Sequence, residues 1–305
     1  MIRILLLWLW LLLSWLWFPL LGEAQTPVQV VTKVVEKDLP YAAAQTIRIN
    51  AQKADVTVRG WNRPTVSVRL RLVAKHPDKA VAEREVAYHE YTLQANGNAL
   101  DLSNRVVISG GGKAQSQLKA LYEVNVPEKA VLTINNSFGD IGLRGLSGEV
   151  TLKFEFGKLT LDDMAGKLTI TSNYGDIEGR SINAALTLKS EKADVALRDL
   201  GGTCRITSHY GKLLVQPNPQ TMKTFSVEAA RAEATIQTRS ITDFRYDVIT
   251  TYADIRVPDG VADELSKFGS KQTFTYEPPG RKTELVIRNS YANVVIQSDK
   301  AFVNR

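Results

Sequence analysis

Apolar positions in this chain return at a fixed interval. The segments starting at Gly139, Gly157, Gly175, Ala193 and Gly211 align without a gap, one every 18 residues. Within them Ile141, Leu159, Ile177, Val195 and Leu213 form one apolar column. Two residues on, Leu143, Leu161, Leu197 and Val215 form a second, which Gly179 interrupts. This period of two is the mark of a half-buried strand. Leu146, Met164, Ile182 and Leu200 supply a corner, and a second strand carries Val150, Leu168, Leu186 and Cys204, then Leu152, Ile170, Leu188 and Ile206. Each unit thus reads as a coil of two short strands and a buried corner. A lone coil buries too little apolar surface to offset its chain entropy, so the coils must stack. The predicted fold is all-β, a parallel β-solenoid of about 18–21 residues per coil. A left-handed β-helix needs an apolar residue every six positions, and stepping six from Leu152 lands on Lys158, so a right-handed solenoid is expected.

Outside the regular coils at 139–215 the pattern loosens. Ala232 and Ala253 take the register position after longer spacings, and SYANVVIQSD repeats it around Ala292. Upstream, KADVTVRG (Lys53 to Gly60) and the alternation of Val66, Val68, Leu70 and Leu72 read as strands. Asp78 to Val86 reads as a short helix, and Tyr88 to Leu102 as a hairpin around Asn96-Gly97-Asn98. Ser109 to Lys113 reads as a glycine loop, and Pro217 to Phe225 as an inserted loop on one side of the stack. The hairpin and the residues from Phe268 onward are the expected end caps. One elongated domain over 46–298 is expected, after an N-terminal extension at 25–45 and before a tail at 299–305.

The first residues alter the picture, because Arg3 precedes an uncharged run from Ile4 to Leu21 and then Gly22-Glu23-Ala24. Residues 1–24 read as a signal peptide cleaved before Gln25, with an uncleaved membrane anchor as the alternative. Export to the periplasm, the outer surface or the medium follows. The single cysteine, Cys204, cannot form an intramolecular disulfide, so packing and backbone hydrogen bonds must hold the fold. The net charge of +6 is spread over the chain, which argues against a nucleic-acid partner.

The segment YEVNVPEKAVLTINNSFGDIGLRGLSGEV, followed by coils opening Tyr-Gly-Asp or Phe-Gly-Lys, resembles a bacterial domain family of unknown function whose members are labelled "putative adhesins". The resemblance covers most of the mature chain. It implies a secreted or envelope-located β-solenoid and brings no catalytic residues with it.

Candidate chemistry is sparse. An aromatic column precedes the register glycines at Phe138, Phe156, Tyr174 and Tyr210. Lys192 breaks it, and Tyr252 and Tyr291 lie in line to resume it. Exposed, such rings would suit a glycan; tucked into the turns they would cap the core, and the second reading is the expectation. The next column reads Asp140, Lys158, Asp176, Asp194 and Lys212. Its adjacent carboxylates, Asp176 and Asp194, would suit a retaining glycosidase pair or a Ca²⁺ site, but alternating charge on an outward strand position serves solubility equally. His76, His89 and His209 fall in no metal-ligand spacing, His209 pairs in register with Glu191, and Cys204 sits in an inward column. No catalytic residue, cofactor or metal site is assigned. The expectation is a non-catalytic envelope or cell-surface protein for interaction or adhesion with a protein, a glycan or the cell wall. The alternatives are a carbohydrate-active enzyme using Asp176 and Asp194, and a membrane-anchored accessory or sensor of envelope signalling.

Overall fold

The computed structural model describes residues 27–298 apart from 111 and 281. The expected signal peptide, the C-terminal tail and the middle of the glycine loop lie outside the described residues. Strand β1 (Gln29–Pro40) is followed by β2 (Thr46–Ala51), β3 (Ala54–Trp61) and β4 (Thr65–His76). Helix α1 (Lys79–Glu85) starts where the Asp78 carboxylate accepts the amide of Ala80 at 2.8 Å, a side-chain N-cap. It leads to a hairpin of β5 (His89–Asn96) and β6 (Ala99–Val106) closed at Gly97, whose φ of 56° suits the tight turn. Then come β7 (Gln117–Pro127), β8 (Val131–Phe138), β9 (Ile141–Leu146) and β10 (Glu149–Phe156). In β11 (Lys158–Asn173), β12 (Asp176–Glu191) and β13 (Val195–Thr238) the chain turns corners while staying extended. Strands β14 (Arg245–Thr251), β15 (Ile255–Arg256), β16 (Leu265–Phe268), β17 (Lys271–Tyr276), β18 (Glu284–Ser290) and β19 (Val294–Ser298) complete the described chain.

These strands join one hydrogen-bonded, open sheet that folds into two parallel walls. Along the first wall β7, β3, β9 and the opening halves of β11, β12 and β13 lie side by side. Along the second run β6, β2, β8, β10 and the closing halves of β11 and β12. The register sets Leu159 beside Ile177 and Ile177 beside Val195, so the predicted columns are physical rows. All are buried between the walls, with Cys204 among them. The gap at Gly179 is filled by its neighbours: a Cβ there would lie 2.6 Å from Ile182 Cδ1 and 2.9 Å from Leu197 Cδ2.

Chain order and stacking order part company at both ends. Strands β2 and β3 lie between the later β6–β7 pair and β8–β9. Likewise β18 and β19, the last strands in sequence, lie between β13 and the earlier β14–β15. Each terminal coil is thus clamped on two sides by coils from elsewhere in the chain.

Several expectations are corrected. The 25–45 extension is largely strand β1, which pairs antiparallel with β4 along its whole length, because alternating valines let it add to the sheet. Pro217 to Phe225 is no loop. It is extended chain within β13, with Met222 and Phe225 buried, so the longer coil absorbs its additional residues into the wall. The C-terminal cap is narrower than the region from Phe268 onward: the antiparallel β16–β17 hairpin beside β14 closes the stack, whereas β18 and β19 are interior. At the other end β4 and β1 extend the first wall and β5 the second, all antiparallel, which blunts the template that an open parallel edge would present.

Candidate functional site

The row that begins at Phe138 runs along one set of turns. Tyr174, Lys192, Tyr210, Arg231, Tyr252 and Tyr291 all hold positive φ, between 52° and 64°, in the left-handed region. At Phe138 and Phe156 the following glycines carry the unusual conformation instead, with φ of 119° and 122°. At four of the eight rungs a buried polar side chain two residues earlier ties the turn shut. Asn136 Nδ2 donates to Gly139 O at 3.3 Å and across to Ala54 O of the neighbouring coil at 2.9 Å, Ser172 Oγ to Gly175 O at 2.6 Å, Thr250 Oγ1 to Ala253 O at 2.7 Å, and Asn289 Nδ2 to Ala292 O at 2.8 Å. The side chains after them are therefore thrown outward.

Thrown outward, the rings are exposed, against the expectation that they cap the core. The six aromatics of the row are 40–63% exposed. Phe138 and Phe156 stack with centroids 5.1 Å apart, Phe156 and Tyr174 at 5.3 Å, and Tyr252 and Tyr291 at 5.0 Å, all within 11° of parallel. Lys192 does not break the series. Its Nζ lies 5.2 Å from the Tyr174 centroid and 6.0 Å from that of Tyr210. Arg231, absent from the predicted row, bridges Tyr210 at 5.6 Å and Tyr291 at 5.3 Å. In space the row reads Phe138, Phe156, Tyr174, Lys192, Tyr210, Arg231, Tyr291, Tyr252. Arg231 sits immediately before the register residue Ala232, and that spacing was the signal by which it could have been found. At the ~5 Å rise between neighbouring strands the ridge is roughly 35 Å long.

The acidic column does different work. Asp140 Oδ1 accepts the amide of Lys158 at 2.9 Å, Asp176 Oδ1 that of Asp194 at 2.9 Å, and Asp194 Oδ1 that of Lys212 at 2.8 Å. Asp55, missed in the sequence, does the same for Asp140 at 3.0 Å. Asp176 and Asp194 are brought together, as predicted, but each is committed to stapling the next coil by its backbone. The predicted His209–Glu191 pair is present at 3.4 Å on the surface. Among the described residues no group of three or more His, Cys, Asp or Glu could hold a metal ion, and no helix is long and apolar enough to cross a membrane.

Two perturbed groups lie in the N-terminal cap. Burial alone would raise the Glu85 carboxyl, but the amides of Ser116 at 2.6 Å and Gln115 at 3.1 Å hold it below the ordinary carboxylate value. Burial depresses the His89 imidazole, whose Nε2 lies 3.3 Å from Val73 O. Deep in the stack, burial pushes the Cys204 thiol up to about 12. On the surface, Arg180 forms a two-pronged pair with Asp162 at 2.7 and 3.0 Å, and its hydrogen bonds hold that carboxyl below the usual range.

A family model described as Toastrack DUF4097 matches residues 44–298. Among solved structures, a "putative cell adhesion protein" from Clostridium sporogenes is 11% identical over 89% of this chain and 100% of its own, with a TM-score of 0.28. A "putative adhesin" from Bacteroides fragilis is 10% identical over 87% of this chain and 97% of its own, with a TM-score of 0.36. Another, from Parabacteroides merdae, is 13% identical over 86% and 96%, with a TM-score of 0.26. No curated protein sequence matches the chain.

Proposed function

The chain belongs to the Toastrack DUF4097 family, and from that premise we propose that it is a non-catalytic exported protein of the envelope or cell surface. In this reading one elongated solenoid, wound right-handed with coils of about 18 to 21 residues, offers a rigid face to a protein, a glycan or the cell wall. The observation that carries it is the exposed row of aromatic and cationic side chains. A solvent-facing row of aromatic rings this long exposes more contiguous apolar surface than stacking within the row requires, which is the usual signature of a contact surface. The export reading rests on residues 1–24.

The test is retention of labelled mature protein on intact cells and isolated cell wall, compared with Tyr174→Ala and Tyr210→Ala. Both variants should bind more weakly with melting curves close to that of the parent. Unchanged retention in both would refute the contact-surface reading. The glycosidase alternative draws little support, because Asp176 and Asp194 each spend a carboxylate oxygen on a backbone amide. Release of reducing sugar that disappears in Asp176→Asn would reinstate it. Finding Met1 at the N-terminus of the mature chain would favour the membrane-anchored accessory instead.

A further inference from the structure

A sugar stacks on the face of an aromatic ring, and almost every ring face in the row is already covered. Phe156 lies between Phe138 and Tyr174, and Tyr174 between Phe156 and Lys192. Tyr210 lies between Lys192 and Arg231, and Tyr291 between Arg231 and Tyr252. Along its length the ridge therefore presents ring edges and hydroxyls, which suit contact with a surface but not the stacking of pyranose rings. Among the described residues, two faces remain without a ring or cation over them: the outer faces of Phe138 and Tyr252.

Another strand follows at both ends: the Tyr252 amide donates to Ser270 O at 2.8 Å, and Lys53 stands in register beyond Phe138. Phe138 also lines a cavity of about 740 Å³, within the range of roughly 300–1,000 Å³ typical of small-ligand sites. Val106, Ile108 and Leu118 give it an apolar lining, and Lys53, Lys113 and Lys119 border it. No carboxylate is among the described lining residues. Lys119 is held by Asp55 at 2.7 Å, whereas Lys53 and Lys113 have no ion-pair partner among the described residues. Lys53 is the row's own continuation, one coil before Phe138, with φ of 49° like the other rungs. A free π face, an apolar wall and uncompensated ammonium groups in one concavity match a ligand with a flat C–H face and an acidic substituent.

We propose that this cavity is a subsite for a uronic-acid residue of a surface glycan, its pyranose ring on the free face of Phe138 and its carboxylate met by Lys53 and Lys113. The proposal rests on the surface-interaction reading above and names the ligand class at one end of the same row. Neutral sugars would lose the charged contacts, and a polyanion without rings would lose the stacking.

The probe is trigalacturonate, titrated calorimetrically into the mature chain beside its methyl ester. The acid is expected to bind one to one, about ten-fold more tightly than the ester, and to weaken as salt is raised. Lys53→Asn, which tolerates the left-handed backbone, and Phe138→Leu should each weaken it by about ten-fold, while Tyr252→Ala at the far end should not. Equal affinity for acid and ester, or full affinity in both cavity variants, would overturn the proposal. Retention on cells that trigalacturonate fails to displace would overturn it as well while leaving the surface reading intact. Specific trigalacturonate binding with no retention on cells or wall would support the subsite and remove the surface reading.

Discussion

Three glycines of the stack separate the cost of backbone conformation from the cost of crowding between coils. At Gly157 a Cβ would lie 2.3 Å from Gly139 O and 2.7 Å from its carbonyl carbon, and φ is +122°. At Gly145 φ is +65° but nothing lies within 4 Å, and at Gly142 the space is open and no positive φ is required. An alanine at 157 must push the neighbouring turn away by about 1 Å to reach ordinary contact. That turn holds the Gly139 N to Phe156 O bond of 3.1 Å, the Lys158 N to Asp140 Oδ1 bond of 2.9 Å and the Phe138–Phe156 stack. Two hydrogen bonds at about 1 kcal/mol each, about 1 kcal/mol of ring stacking and roughly 1–3 kcal/mol of backbone strain give about 4–6 kcal/mol for Gly157→Ala. Gly145→Ala should cost about 1–2 kcal/mol, and Gly142→Ala should lie within about 0.5 kcal/mol of the parent. Urea unfolding followed by circular dichroism measures all three. A Gly157→Ala cost within about 1 kcal/mol of Gly145→Ala would show that the turns yield freely, and the stapled-coil reasoning would be wrong.

Other consequences follow from single groups. Both His89 and Glu85 have depressed pKa values in the fold, so each stabilises it above its unfolded value and loses that contribution as pH falls. Stability should decline first below about pH 6.5 and again below about 4.5, with amide exchange rising first in α1 and β5, and His89→Phe should abolish the upper step. Asp176→Ala should cost about 1 kcal/mol by removing the acceptor for the Asp194 amide, whereas Asp176→Asn, which keeps an oxygen there, should cost less than half as much in the same urea assay. Cys204, buried and with its thiol pushed up to about 12, should resist iodoacetamide at pH 8 in the folded protein and react fully in urea; rapid labelling of the native chain would contradict its inward placement.

The inward columns were legible because burial writes itself into sequence as a period of two, and each predicted column survives as a row. Which coil stacks on which was not legible. The alternation in β2 fixes which side chains of Ile47 and Ile49 face inward, but it is satisfied equally by a parallel neighbour at any sequence distance. The order of the last coils was hidden for the same reason, and with it the sequence Tyr291 before Tyr252 in the outer row. Lys192 looked like a defect because a column was judged by residue type. The turn selects instead for a side chain that can cover a ring face, and a lysine or an arginine does so as a phenyl group does.

The same swap of stacking order bears on where binding can occur. In a plain solenoid the terminal coils have one neighbour each and fray first, so a site built on them is poorly held. Here β2–β3 has coils on both sides, and the cap beyond it is antiparallel. Lys53, at the bend between β2 and β3, is therefore fixed in a doubly clamped coil, and Phe138 stands on the strand beside it. The surface next to them is of the opposite kind: Val106 ends β6, and Ile108 and Lys113 belong to the connection between β6 and β7, outside any strand. A ligand there would rest against both a doubly clamped coil and the β6–β7 connection, at the place where the regular repeat stops.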